Sequence, residues 1–178
     1  VGNIAETQLS LGYLYVENKK PFLAISVLEQ VLLHPDYQKN NDLLQNLLVL
    51  YRGNVSEEKY LQFLLKVNND PEQGGKVQQG FKSQLIIEYF EQNKCDKLIP
   101  ELNQNYMQSI KKSNTKEWEH LLYMRGSCLI ETKRWNEARL DLRQIRNTKK
   151  YREHSIQMLI VTHKQLEDWK GMNWEYQE

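Results

Sequence analysis

Proline is scarce in this chain, four residues in 178, and glycine is modest at eight. With so few breakers, most of the chain is free to be helical. No apolar run approaches the ~20 residues that a membrane span needs. The longest, such as Leu47-Leu48-Val49-Leu50-Tyr51, are far too short. No charged, apolar and small-residue N-terminus marks a signal peptide. The chain opens on Val1 rather than Met, which reads as a fragment or a processed form. A soluble protein is expected, with the cytoplasm favoured over the periplasm. There are only two cysteines, Cys95 and Cys128, too few and too widely spaced for a disulfide framework. They are expected to be half-buried free thiols. Charge of one sign is also lacking overall: the formal net charge is +1, with 26% charged and 40% apolar residues, ordinary for a globular protein.

Catalytic and metal-binding patterns are absent as well. The histidines at 34, 120, 154 and 163 never pair four residues apart around a carboxylate. No CxxC or Cys/His quartet accompanies the cysteines. Glycine-rich phosphate loops and the GxSxG nucleophile turn are missing, and Gly74-Gly75 has no following GK[ST]. Glu57-Glu58 lie at a helix start, where acids suit the helix dipole. The sequence therefore predicts no enzyme, no metal and no cofactor.

What is present is an internal repeat. Leu11-Gly12-x-x-Tyr15 is followed by Ala24 and Leu28, and Gly126-x-x-Leu129 by Ala138 and Leu142. In both, alanine trails glycine by twelve residues and leucine follows four later. Apolar residues three and four apart put one stripe on each helix. A helical glycine costs about 1 kcal/mol relative to alanine, so two in register argue for close helix packing. Ala24 and Ala138 are the small residues expected to face them. No run reads as a strand.

These motifs resemble tetratricopeptide (TPR) repeats, whose 34-residue unit carries Leu-Gly at positions 7 and 8, Tyr at 11, Ala at 20 and a large apolar residue at 24. Repeats then span 5–40, 41–78, 79–118 and 119–152, with a partial fifth over 153–178. Pro35 and Pro71 recur at one place in the frame. The third repeat matches least, because Lys82 and Asn105 take apolar positions. Leu48 and Ile86 replace the small residue of position 8, so the second and third hairpins are expected to splay. Turns are expected at 18–21, 52–56 and 91–94, and the longest loop at 69–75. The resemblance implies an all-α fold: a right-handed α-solenoid of antiparallel helix hairpins, one domain over 1–178, with four repeats plus a C-terminal partial repeat.

In such stacks the first helix of each pair lines a concave groove. That places Leu9, Tyr13, Val16 and Glu17, then Val49 and Arg52, Ile87 and Phe90, and Tyr123 and Ile130 where a partner peptide or helix would lie. The clamp by which some members hold a chaperone carboxylate needs Lys and Asn where this chain has Leu9, Tyr13 and Val49. The implied function is a protein-interaction scaffold or adaptor within a larger assembly.

Two further surfaces stay open. Six of the seven arginines lie between Arg125 and Arg152, and Arg139, Arg143 and Arg146 are spaced to share a helix face. Such a basic face would suit an acidic partner, anionic lipid or nucleic acid, although the near-neutral total charge argues against nucleic acid. Trp169, Met172, Trp174 and Tyr176 crowd the C-terminus. Exposed, they would serve a structural or oligomerisation role through the end of the stack.

Overall fold

The structure, a computed structural model, describes residues 4–70 and 75–176, and side chains over 4–70 and 78–175. Among the described residues lie eleven α-helices and no strand. The chain divides into two compact units, Val1–Leu85 and Ile86–Glu178, where the repeat frame alone reads one domain.

The first unit holds two helix hairpins, α1 (Ile4–Glu17) with α2 (Pro21–Leu32) and α3 (Asn41–Asn54) with α4 (Glu57–Asn68), and the start of α5 (Gly75–Glu91). Each start has a local cause. Pro21 sits in the first turn of α2, where its missing N–H costs nothing. The Asn40 side chain accepts the Leu43 N–H at 3.0 Å, capping α3, and Ser56 accepts the Lys59 N–H, capping α4. A Cβ on Gly12 would lie 2.4 Å from Leu28 Cδ2. The gap left by the glycine is thus filled by the leucine four residues beyond Ala24, not by Ala24 itself. With Leu48 in the equivalent place, α3 and α4 approach less closely than α1 and α2. Leu28, Val31, Leu43, Leu47, Leu64 and Phe81 form the core, and the Tyr51 and Phe63 rings stack at 4.5 Å. The Tyr51 hydroxyl donates to Glu29. Burial, and then that carboxylate, push the phenol well above its usual range. The connection expected to be the longest is not: that between Leu32 and Asn41 is longer than that between Asn68 and Gly75, and Gly75 already belongs to α5; residues 71–74, Pro71 and Gly74 among them, lie outside the described residues.

The second unit continues with α6 (Cys95–Glu101), α7 (Gln104–Ser113), α8 (Thr115–Glu131), α9 (Trp135–Ile145), α10 (Arg152–Gln165) and α11 (Trp169–Tyr176). In the third repeat the second helix is broken into α6 and α7. Pro100 lies inside α6 and removes a backbone donor. Asn103 then caps a fresh helix, accepting the Tyr106 N–H at 3.0 Å. The new start puts Tyr106, Met107 and Ile110 inward and leaves Asn105 exposed, which removes the conflict of a polar residue on an apolar stripe. Arg125 of α8 donates to the Leu102 carbonyl at the break and pairs in bidentate fashion with buried Asp141, each bond 2.7 Å. Gly126 repeats the Gly12 contact more loosely: its Cβ would stand 2.9 Å from Leu142 Cδ2.

The cysteines are not free thiols. Cys95 at the start of α6 and Cys128 in α8 form a buried disulfide, their Cα atoms 5.0 Å apart. A separation of 33 residues looks wide along the chain. It is close to one repeat length, however, and the second helix of one repeat packs directly on the first helix of the next, here α6 on α8.

One turn recurs four times. Lys19, Asn93, Lys133 and Glu167 have φ of 55°, 53°, 60° and 56°. Each is the fifteenth residue of its repeat. The next N–H donates to the carbonyl of residue eleven in every case: Lys20 to Tyr15, Lys94 to Tyr89, Arg134 to Leu129 and Asp168 to His163, at 2.7–2.9 Å. This is a left-handed helix cap of the Schellman kind. The second repeat departs from it, with Val55 extended at φ −118° and Ser56 starting the next helix.

Candidate interaction surface

In the second unit the first helices of repeats three, four and five, α5, α8 and α10, bring a row of rings together. Phe90 meets Tyr123 edge-on with centroids 6.3 Å apart. Tyr123 stacks on Tyr151 at 5.1 Å and meets His154 edge-on at 6.3 Å. His120 stacks on Tyr151 at 6.0 Å, and its Nδ1 shares a 2.8 Å hydrogen bond with the Tyr151 hydroxyl. Edge-to-face and offset stacking are the favoured arrangements of ring quadrupoles, so the row holds its own shape. Tyr151 is buried and anchors it, Phe90, Tyr123 and His120 are half-buried, and His154 is exposed. Burial, and then the Lys150 ammonium, lower the His120 pKa, with Glu117 opposing. Ile87 and Ile130 are half-buried. On α8, Ser127 donates to the Tyr123 carbonyl at 3.0 Å and lies 3.5 Å from the Met158 sulfur.

Of the residues read from the sequence, Ile87, Phe90, Tyr123 and Ile130 thus lie on the first helices of this unit, and Phe90 and Tyr123 touch. Tyr151 and His154 were missed. His154 falls on position 2 of the fifth repeat, a groove position, and that register was its available signal. Tyr151 sits between helices, where the repeat pattern assigns no role.

In the first unit Leu9 and Tyr13 are half-buried, while Val16, Glu17, Val49 and Arg52 are exposed. Val49 is 71% exposed and so is no core residue. Asn46 of α3 donates to the Tyr13 hydroxyl at 3.1 Å, tying α1 to α3. A concavity of about 450 Å³ lies elsewhere in this unit, with Leu32, Leu44, Phe63 and Val67 among its lining and Glu29, Lys39, Lys66 and Asp70 around them.

The three arginines do not form one open face. Arg143 is exposed, Arg139 is half-buried and donates to Asp168 and Asn136, and Arg146 is 4% exposed. Arg146 packs 3.6 Å over the Trp174 ring. At the C-terminus, Trp169 is 55% exposed and Trp174 47%; the Tyr176 side chain lies outside the described residues. Among the described residues no three His, Cys, Asp or Glu side chains gather as metal ligands, and no helix is long and apolar enough to cross a membrane.

Among solved structures the chain is similar to MamA from AMB-1, with 14% identity over 97% of this chain and 88% of that one, at a TM-score of 0.65. It is also similar to a tetratricopeptide repeat protein from Parabacteroides merdae, with 16% identity over 97% of this chain and 64% of that one, at 0.60. A third is a putative kinesin light chain from Podospora anserina with TPR-like repeats, with 15% identity over 97% and 91%, at 0.57. No family model and no curated protein matches the sequence. The fold is that of a TPR-like α-solenoid, all helical and built of repeated hairpins.

Proposed function

We propose that the chain is a non-catalytic protein-interaction scaffold, which takes a partner peptide or helix along the first-helix face of its second unit, as part of a larger assembly. One observation carries this reading. The Phe90–Tyr123–His154 row is held from behind by buried Tyr151, yet leaves ring surface open to solvent. Fixed, half-exposed aromatics give a partner large contact area at little cost in side-chain entropy, which is why they dominate interface anchors. Ile87 and Ile130 extend the apolar strip, and Glu91 and Glu131 give it an exposed acidic edge. An amphipathic segment with apolar anchors fits that pattern.

The test is a photo-crosslinker placed at Ile87 in one version of the protein and at exposed Phe22 in another, with the host extract as the source of partners. A discrete crosslinked protein is expected from position 87 only, and is expected to vanish in a Phe90→Ala/Tyr123→Ala double variant whose circular dichroism is unchanged. The same crosslinked product surviving the double variant would remove the aromatic row from the binding surface.

A further inference from the structure

The second unit also encloses a chain of charges that protein binding does not explain. His163 on α10 is fully buried. Its Nδ1 lies 2.9 Å from Asp168 Oδ2, and its Nε2 lies 3.6 Å from Glu175 Oε1. The other Glu175 oxygen is 3.5 Å from Arg146 Nη2, and Asp168 Oδ2 is 3.3 Å from Arg139 Nη1. The five groups alternate in sign: Arg139, Asp168, His163, Glu175, Arg146. The carboxylates flank opposite nitrogens of the ring, so they do not converge on a metal.

The cluster also divides by element. Both anions belong to the last helix: Asp168 immediately precedes α11 and accepts the Gly171 N–H at 3.0 Å, and Glu175 lies on α11. The cations come from α9, its C-terminal end and α10. α8 also packs against α10, where Tyr123 meets His154 and Ser127 lies 3.5 Å from the Met158 sulfur. Gly171 is part of the fit, because a Cβ there would stand 2.4 Å from the imidazole. α11 is therefore fastened through this ionic chain, with Arg146 stacked on Trp174 at its far end.

The two ring nitrogens differ in what they require. Nδ1–H can serve Asp168 whether the ring is neutral or charged. At Nε2 a buried carboxylate faces the nitrogen, and neither that nitrogen nor either Glu175 oxygen has a hydrogen bond. Only the imidazolium presents an N–H to both carboxylates; either neutral tautomer turns a lone pair toward one of the two anions, which low-dielectric surroundings make costly. We propose that His163 is a proton-operated latch: protonated, it holds α11 against α9 and α10, and deprotonated, it lets α11 loosen. The Gly171 N–H and then His163 hold the Asp168 carboxyl below its ordinary range, so Asp168 keeps its charge. Loosening uncovers the α10 surface that α11 packs on, so proton concentration sets how much of it this end of the unit presents.

The test is hydrogen exchange on the full chain from about pH 5.5 to about pH 9, a range over which imidazoles as a class change charge. Rates are divided by the intrinsic rates at each pH to give protection. Protection of the α11 amides is expected to fall about tenfold or more as pH rises, the scale of one lost charge-assisted contact. Amides of α3 serve as the reference. Glu175→Gln keeps the side-chain shape and removes the charge that Nε2 faces, so it is expected to flatten the pH dependence. His163→Gln is expected to do the same wherever it folds. Wild-type protection in α11 that does not vary with pH overturns the latch, as does an undiminished pH dependence in Glu175→Gln.

Discussion

Gly12 and Gly126 occupy the same repeat position but leave different room. Leu28 is fully buried and its branch lies 2.4 Å from the Cβ that alanine would add at 12, against 2.9 Å for Leu142 at 126. Overpacking a closed core costs about 1–3 kcal/mol, while alanine returns about 1 kcal/mol of helix propensity over glycine. Gly12→Ala is therefore expected to destabilise by about 1–2 kcal/mol and Gly126→Ala to come out near neutral, read as shifts in urea midpoint. Equal shifts would mean that both leucines yield alike. His120 offers a second residue-scale prediction. Its folded pKa is lowered by burial and by Lys150. Below the ordinary ~6.5 the unfolded chain thus binds a proton that the folded chain resists. The contribution of the neutral ring is complete above that value and is lost as pH falls toward the lowered folded value. An NMR titration of His120 is expected to show a midpoint below an exposed histidine's, and Lys150→Gln is expected to raise it. A midpoint unmoved by that substitution would leave burial as the whole cause.

Between helices, the recurring left-handed residue is the feature that sets hairpin geometry. Lys19, Lys133 and Glu167 adopt a conformation that costs an L-residue about 1–2 kcal/mol, whereas asparagine, as at 93, tolerates it better. Lys133→Gly is expected to raise stability by about 0.5–1 kcal/mol after the greater unfolded entropy of glycine is subtracted, and Asn93→Gly is expected to gain less. Thermal unfolding of the two variants side by side measures this, and a larger gain at 93 would contradict it. The same elements mark how far the sequence could be read. The stripe of Leu44, Leu47 and Tyr51, or of Leu122 and Leu129, repeats at helical spacing because burial demands it, so the all-helical solenoid fold was legible. Gly53 was read as part of a turn but lies inside α3, since a glycine with open space around it does not have to stop a helix. The α6–α7 break was not read either, because Pro100 tells where a helix weakens, while the restart depends on Asn103 finding a backbone N–H to cap.

Across the molecule, the hardest features to foresee were those that pair residues from different repeats. Tyr151 joins the aromatic row from a connection, Arg146 turns inward because Glu175 lies one hairpin further along, and Cys95 meets Cys128 because α6 packs on α8. Spacing along the chain carries no sign of these meetings unless the repeat geometry is known first. The disulfide is the one with the largest expected effect on stability. It closes a span of 33 residues, for which chain entropy in the unfolded state corresponds to about 3–4 kcal/mol. It also fixes α6, a helix of only seven residues with a proline in it, too short to hold without packing. Reduction is therefore expected to act first on α6 and the middle of α8, lowering amide protection there by about two orders of magnitude, since each 1.4 kcal/mol is tenfold. Cys128→Ser should reproduce the loss without reductant. Hydrogen exchange on oxidised protein, reduced protein and the variant, with thiol count verified by mass, makes the comparison. Unchanged protection around Cys95 after verified reduction would mean that the packing of Leu98, Leu102 and Leu129 holds α6 on α8 by itself, and that the covalent link adds little to a contact the apolar stripe already secures.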